Sequence, residues 1–379
     1  MSNPIRNSQK RGKIRHVLGI SGGKDSAALA IYLRTHYPEL ELEYYFMDTG
    51  KELAETYQFI DDLEVFLGKK IARLEAAKDS PMDPFDHYLA MYGGYLPSPQ
   101  ARWCTRKLKL EPFEQMFVGD EPAISYVAIR GDEDREGYIS HKPNIQTVFP
   151  FRRNIWSKDV INLVLAPEKS ARFAELCAAY STGEQRATLV ELALRPTSVK
   201  FNQVRKLQML LDVSVATFNR VVFAFLQESD LPMAQLERYP LLDNEEVVDR
   251  DGVFRLLDES GVGRPRYYEP IEFEVNGKTG FYNRSRSGCY FCFFQQKIEW
   301  IWLYEQHPDR FQQALAYEKE GFTWMDDERL EELIQPERIV QVKEMHLRNG
   351  AANKKKDKSA YLIDVLTESE GQGCTTCFI

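Results

Sequence analysis

Ser21-Gly22-Gly23-Lys24-Asp25-Ser26 is the stretch of this sequence best suited to chemistry. It follows the apolar run Val17-Leu18-Gly19-Ile20 and precedes the helix-like Ala27-Ala28-Leu29-Ala30-Ile31-Tyr32-Leu33. A strand that enters a glycine-bearing turn and then a helix presents backbone N–H groups and the positive helix end to an anion, above all a phosphate. Lys24 adds a positive charge, and Asp25 a carboxylate able to position Mg2+ beside a departing phosphate. The loop is not of Walker type, which requires glycine where Leu18 stands and Ser or Thr where Asp25 stands.

The elements that must position this loop are legible around it. Leu42 to Met47 reads as a second buried strand ending in Asp48-Thr49-Gly50-Lys51-Glu52, with Glu55-Thr56 at a helix start. Ile124 to Ile129 reads as a third, ending in Arg130-Gly131-Asp132-Glu133-Asp134-Arg135. Strands alternating with helical patterns from residue 14 to about 150 imply a parallel, helix-covered sheet. In such a sheet ligands sit outside the carboxyl ends of the strands, so Asp48, Thr49, Gly50 and Arg130 are expected to face the crevice of the Ser21–Ser26 loop.

Thiols form a second group. Cys289 and Cys292 make a Cys-x-x-Cys turn, a spacing that lets two thiolates converge on one metal. Cys104 lies in Arg102-Trp103-Cys104-Thr105-Arg106-Lys107, and Cys374 and Cys377 in the glycine-rich end, where they are candidates for redox or persulfide chemistry. A zinc site from Cys289, Cys292, Cys374 and Cys377 is the alternative, set back by the 81 residues between the pairs. Cys177, alone in a helical stretch from Arg172 to Tyr180, reads as a core thiol.

The six cysteines of the 379 residues are too few for a disulfide scaffold, which points to a reducing, cytoplasmic setting. No apolar run is long enough to span a membrane, and Met1 to Arg15 is polar and basic, unlike a secretory signal. The net charge of −8 excludes a chain that coats nucleic acid through bulk charge. Local basic groups remain, notably Arg102, Arg106, Lys107, Arg284 and Arg286 beside the cysteines. Organisation is expected as a nucleotide-binding domain over 1–155, a glycine-poor helical insertion over 156–250, a Cys-x-x-Cys region with helices over 251–330, and a C-terminal helix and mobile tail over 331–379. Within the third region Asn276-Gly277 marks a hairpin after Ile271 to Val275.

The SGGKDS loop resembles the pyrophosphate loop of N-type ATP pyrophosphatases, and Asp48-Thr49-Gly50-Lys51-Glu52 with the Arg130 loop is similar to phosphoadenosine-phosphosulfate (PAPS) reductases and their relatives. With Arg102 to Lys107, the Cys289 pair and His307-Pro308, the chain looks most like the ATP-pyrophosphatase subunit of DNA phosphorothioation systems, the DndC type and its shorter counterparts. That resemblance implies an adenine-nucleotide α-hydrolase (HUP-like, Rossmann-like) fold and cleavage of ATP to AMP and pyrophosphate. Ser21 to Ser26, Asp48, Thr49, Gly50 and Arg130 would bind the nucleotide, with Lys24, Asp25 and Asp48 catalytic and Mg2+ present. It further implies a [4Fe–4S] cluster on Cys104, Cys289 and Cys292, DNA as acceptor, a cysteine desulfurase and a nickase as partners, and a role in phage defence. One departure is that Phe293 to Ile301 lacks the fourth cysteine of DndC-type proteins. PAPS or APS reduction and tRNA thiolation are the alternative activities, and a nucleotide-sensing subunit the non-enzymatic one.

Overall fold

A computed structural model describes residues 13–356, apart from 118, 134 and 136, with side chains to 350. The expected α/β architecture is present. Five parallel strands, β1 (Arg15–Gly19), β2 (Leu42–Asp48), β3 (Ile71–Glu75), β4 (Ala123–Tyr126) and β5 (Ile145–Val148), lie in the order β3-β2-β1-β4-β5. The chain runs outward from β1 through β2 and β3, then returns to β4 on the other side, so the order reverses at β1. That switch point is where an open parallel sheet leaves a crevice.

Strand period explains the two covered faces. Val17, Tyr45, Met47, Ala123 and Ile145 point to one side, against Phe113 and Phe117. Their neighbours Leu18, Tyr44, Phe46, Ile124 and Tyr126 point to the other, into the largest core. Helices α1 (Lys24–His36) and α2 (Ala54–Leu67) belong to that core. Every residue of α1 from Lys24 to Leu33 is buried, as befits a helix apolar on all sides. The helices between Lys158 and Glu259 do not build a core of their own: Phe173, Leu192, Phe218, Val222 and Leu257 join the same cluster as α1.

A second core lies in the C-terminal half. The hairpin of β6 (Ile271–Val275) and β7 (Lys278–Tyr282) turns at Asn276 and Gly277, both with positive φ. Phe273 and Tyr282 of that hairpin pack with Phe291, Trp300, Trp302, Phe311 and Trp324. This core also takes Leu53, Phe85, Trp103 and Leu108 from the first half of the sequence. Among the described residues no single helix is long and apolar enough to cross a membrane. The pair Gln203–Val213 and Val215–Leu226, which would qualify together by composition, is bent by 117°.

Candidate functional site

The Ser21–Ser26 loop leaves the end of β1 at the switch point, on the seam between the two cores. Gly22 takes φ +69°, a left-handed conformation that turns the strand into the helix, and Gly23 is the extended residue that starts α1. Ser26 Oγ lies 3.1 Å from Ser21 Oγ and accepts from the Ser21 backbone N–H at 3.0 Å, closing the loop on itself. Lys24 Nζ stands 3.4 Å from Asp25 Oδ2, and Arg130 Nη1 donates to Asp25 Oδ1 at 3.0 Å. Arg130 also reaches Asp132 at 2.9 Å, and these acidic neighbours outweigh burial and hold its guanidinium firmly charged. Thus β1, its helix and the loop after β4 bring Lys24, Asp25 and Arg130 together.

The turn after β2, the strand paired in parallel with β1, lies at the same end of the sheet. Asp48 Oδ1 accepts from the Gly50 N–H at 2.9 Å and from Tyr57 Oη at 2.8 Å. Thr49 Oγ1 donates to Glu52 Oε1 at 2.7 Å. Burial, then the Asp48 carboxylate, pushes Glu52 up from 4.5 to about 7. A raised acid binds its proton more tightly in the fold, so this contribution to stability is complete below pH 4.5 and lost as pH rises through 7. Accordingly, wild-type protein should lose stability relative to Glu52→Gln between pH 5 and 8 by an amount of order 1–3 kcal/mol. Urea midpoints across that range check it, and a constant difference between the two proteins would refute it.

The cysteines meet this turn from the second core. Tyr290 N–H donates to the Lys51 carbonyl at 2.9 Å, which ties the Cys-x-x-Cys turn to the β2 turn. Cys289 Sγ lies 3.1 Å from Thr49 Oγ1 and 4.0 Å from Glu52 Oε1. Desolvation, and next the Glu52 carboxylate, pushes the Cys289 thiol up. Cys104 is the middle residue of the short helix Trp103–Thr105, which widens into a π-helical turn at Arg106–Leu110. Trp103 anchors it, with rings of Phe85 and Tyr92 at 5.3 and 5.2 Å and its indole N–H on the Tyr95 carbonyl. Cys104, Cys289 and Cys292 line one cavity of about 50 Å3 with Thr49, Phe85, Phe291, Phe294 and Trp324. Soft sulfur donors in an apolar chamber suit soft-metal chemistry, yet among the described residues no group of three or more His, Cys, Asp or Glu side chains is arranged to hold a metal ion. Cys177 is a buried core thiol. Cys374, Cys377 and Asp134 lie outside the described residues.

Sequence reasoning missed what covers the loop. Tyr267 Oη donates to the Gly22 carbonyl at 2.7 Å, and Tyr268 Oη accepts from the Lys24 backbone N–H at 3.4 Å. Lys24 Nζ donates to the Ser285 carbonyl at 3.4 Å, and Ser287 presses on Gly23 so closely that a Cβ there would sit 2.4 Å from its hydroxyl. Glu299 fixes this strap by accepting from Ser285 N–H and Oγ at 2.6 and 2.8 Å. The Tyr-Tyr pair and the Arg-Ser-Arg-Ser run carry no motif that announces a phosphate loop 244 to 261 residues away; only proximity to the Cys289 pair hinted at the second of them.

The basic groups grouped beside the cysteines are corrected by burial and pairing. Arg284 is wholly buried and offers nothing to a polymer at the surface. Arg106 and Lys107 share the Glu111 carboxylate, at 3.2 and 2.8 Å. Arg102 and Arg286 flank the Phe294 ring at 5.6 and 5.8 Å, at the cavity wall.

Fold and site together define a parallel α/β domain with a glycine-bearing strand-to-helix loop and a thiol chamber at its crevice. Residues 15–148, from the first residue of β1 to the last of β5, match the family described as the phosphoadenosine phosphosulfate reductase domain. That match covers about a third of the chain, the segment that builds the sheet. The uncharacterized protein MJ0066 of Methanocaldococcus jannaschii is 29% identical over 178 residues, 44% of this chain. The chain spans about a third, 34%, of that relative's length. No solved structure gives a significant match.

Proposed function

We propose that the protein is a nucleotide-dependent sulfur-transfer enzyme that cleaves ATP to AMP and pyrophosphate and so activates an acceptor for replacement of oxygen by sulfur. One observation carries the reading: Ser287 presses on Gly23 of the phosphate loop and also lines the cysteine cavity with Thr49, Cys104, Cys289 and Cys292, where Cys289 Sγ lies 3.1 Å from Thr49 Oγ1. Three thiols lining the cavity beside that loop are the kind of group a sulfur-handling site requires. Lys24 and the loop N–H groups would hold the phosphates, Asp25 or Asp48 would position Mg2+, and Arg130 keeps Asp25 oriented. Tyr268 and Ser287 cover the loop, so a bound phosphate would take the Lys24 N–H from the Tyr268 hydroxyl.

The acceptor we favour is a DNA backbone phosphate, in keeping with the resemblance to phosphorothioation subunits; Arg102 and Arg286 remain the groups best placed to meet it. A desulfurase and a nickase would then supply sulfur and access. The test is product analysis with ATP and Mg2+. AMP and pyrophosphate support the assignment, ADP and phosphate overturn it, and sulfite released from PAPS with a thiol donor transfers it to the reductase reading, which the matched family favours.

Three thiols on one cavity also support a secondary reading, an iron–sulfur centre on Cys104, Cys289 and Cys292, whose chemistry would be to bind sulfide. Anaerobic protein should then be brown and should lose its iron and visible absorbance in Cys104→Ser, Cys289→Ser or Cys292→Ser, but not in Cys177→Ser. Colourless, iron-free anaerobic protein would retire that reading and leave the ATP chemistry untouched.

A further inference from the structure

Arg284 is the least expected side chain in the structure. It is wholly buried, and its Nε and Nη1 have no hydrogen-bond partner. Only Nη2 is satisfied, by the Cys289 carbonyl at 3.0 Å, and the guanidinium lies 5.7 Å from the centroid of the Tyr267 ring. No carboxylate among the described residues is within ion-pair distance of it; Glu55, the acid of the neighbouring helix start, is placed against His307 Nε2 at 3.3 Å. His307, neutral or cationic in either protonation state, supplies no negative charge, and burial drives it towards its neutral form. A buried cation without an anion is costly, and it persists where something arrives to pair with it.

The position of Arg284 says what arrives. Its own N–H donates to the Tyr267 carbonyl, and the next residue, Ser285, accepts from Lys24 Nζ. Tyr267 touches the Gly22 carbonyl, and Tyr268 occupies the Lys24 N–H, one of the donors that a phosphate-binding loop offers to phosphate oxygens. In this arrangement the protein's own phenol and carbonyl oxygens stand where anionic oxygens would. Phosphates can take those donors only if the Tyr267–Tyr268 and Asn283–Ser287 segments shift, and Arg284, which packs on Tyr267 and belongs to the second of them, shifts with them.

We infer that Arg284 is an oxyanion ligand contributed by the C-terminal half, pairing with the pyrophosphate end of the bound nucleotide opposite Lys24. This rests on the phosphate-loop part of the proposed function and is independent of the sulfur acceptor and of any metal centre. A planar, permanently charged fork suits such a group better than a lysine would.

Binding of inorganic pyrophosphate to the full-length protein, followed by calorimetry and by thermal shift, tests it. Wild-type protein should bind pyrophosphate with a rise in Tm. Arg284→Met and Arg284→Gln should bind it at least about tenfold more weakly, with ligand-free Tm unchanged or higher, because an uncompensated buried charge has been removed. Arg284→Lys should retain part of the affinity. If Arg284→Met lowers Tm and leaves pyrophosphate affinity within about twofold, or if wild-type protein binds no pyrophosphate, the inference is overturned. A parallel titration with inorganic phosphate separates sources: an Arg284 dependence seen with pyrophosphate and absent with phosphate assigns the site to the nucleotide's leaving group, whereas an equal dependence on both overturns that assignment. Arg284-dependent pyrophosphate binding in a protein that makes no AMP from ATP would sink the proposed activity while leaving this site standing.

Discussion

Lys24→Ala should lower AMP and pyrophosphate formation by at least about tenfold at saturating ATP, the loss of more than ~1.4 kcal/mol of transition-state stabilisation. The ammonium is buried on the loop between Asp25 Oδ2 and the Ser285 carbonyl, where no solvent cation can replace it. Asp25 keeps its 3.0 Å pair with Arg130 when Lys24 is shortened, so the fold should survive and the loss should appear in turnover. Asp25→Ala should cost a similar factor, with Arg130 still held by Asp132. Steady-state rates together with thermal melts separate the two effects. Unchanged turnover in both variants would remove the loop from the chemistry.

Gly22→Ala should be the most damaging small substitution for the fold. An L-residue at φ +69° costs about 1–2 kcal/mol on conformational grounds alone. The new methyl would also lie 2.3 Å from Thr56 Cγ2 on the first turn of α2, with Ile60 Cδ1 at 3.7 Å behind it. Forced overpacking of that kind costs a further ~1–3 kcal/mol, which brings the total to roughly 2–5 kcal/mol. Thr56→Ser removes the colliding methyl, so the double variant Gly22→Ala with Thr56→Ser should recover the steric share and keep the conformational share. Denaturant midpoints of the single and double variants measure the partition. A double variant no more stable than Gly22→Ala would refute the clash.

The parallel sheet and its crevice were legible because their signals are local. An apolar strand must be followed by its loop, and in a parallel sheet every such loop falls at the same end, so Ser21–Ser26, Asp48–Gly50 and Arg130 could be placed side by side from three separate stretches. The Asn276-Gly277 hairpin was legible for the same reason, since turn chemistry is written in two adjacent residues. The convergence of Cys104 with Cys289 and Cys292 on one cavity came from resemblance, because no local rule brings residues so far apart together. What stayed hidden was long-range and compositionally plain. Tyr267, Tyr268 and Ser287 act on the loop only through tertiary packing, and Glu52 is perturbed by burial that its sequence neighbours do not disclose. Arg284 reads as a surface cation in sequence, and only the surrounding aromatic core reveals it as an interior charge.

The second core takes Leu53, Phe85, Trp103 and Leu108 from the segment that also builds the sheet. The stretch with recognisable ancestry is therefore not a transplantable module. Cut after β5, it would expose those apolar faces and lose the strap over its own loop; joined to a foreign C-terminal half, it would find no seat for Trp103. The two halves can drift in sequence only along paths that keep the shared aromatic joint filled, and relatives that have exchanged one half should carry compensating changes at Phe85, Trp103, Phe291 and Trp324.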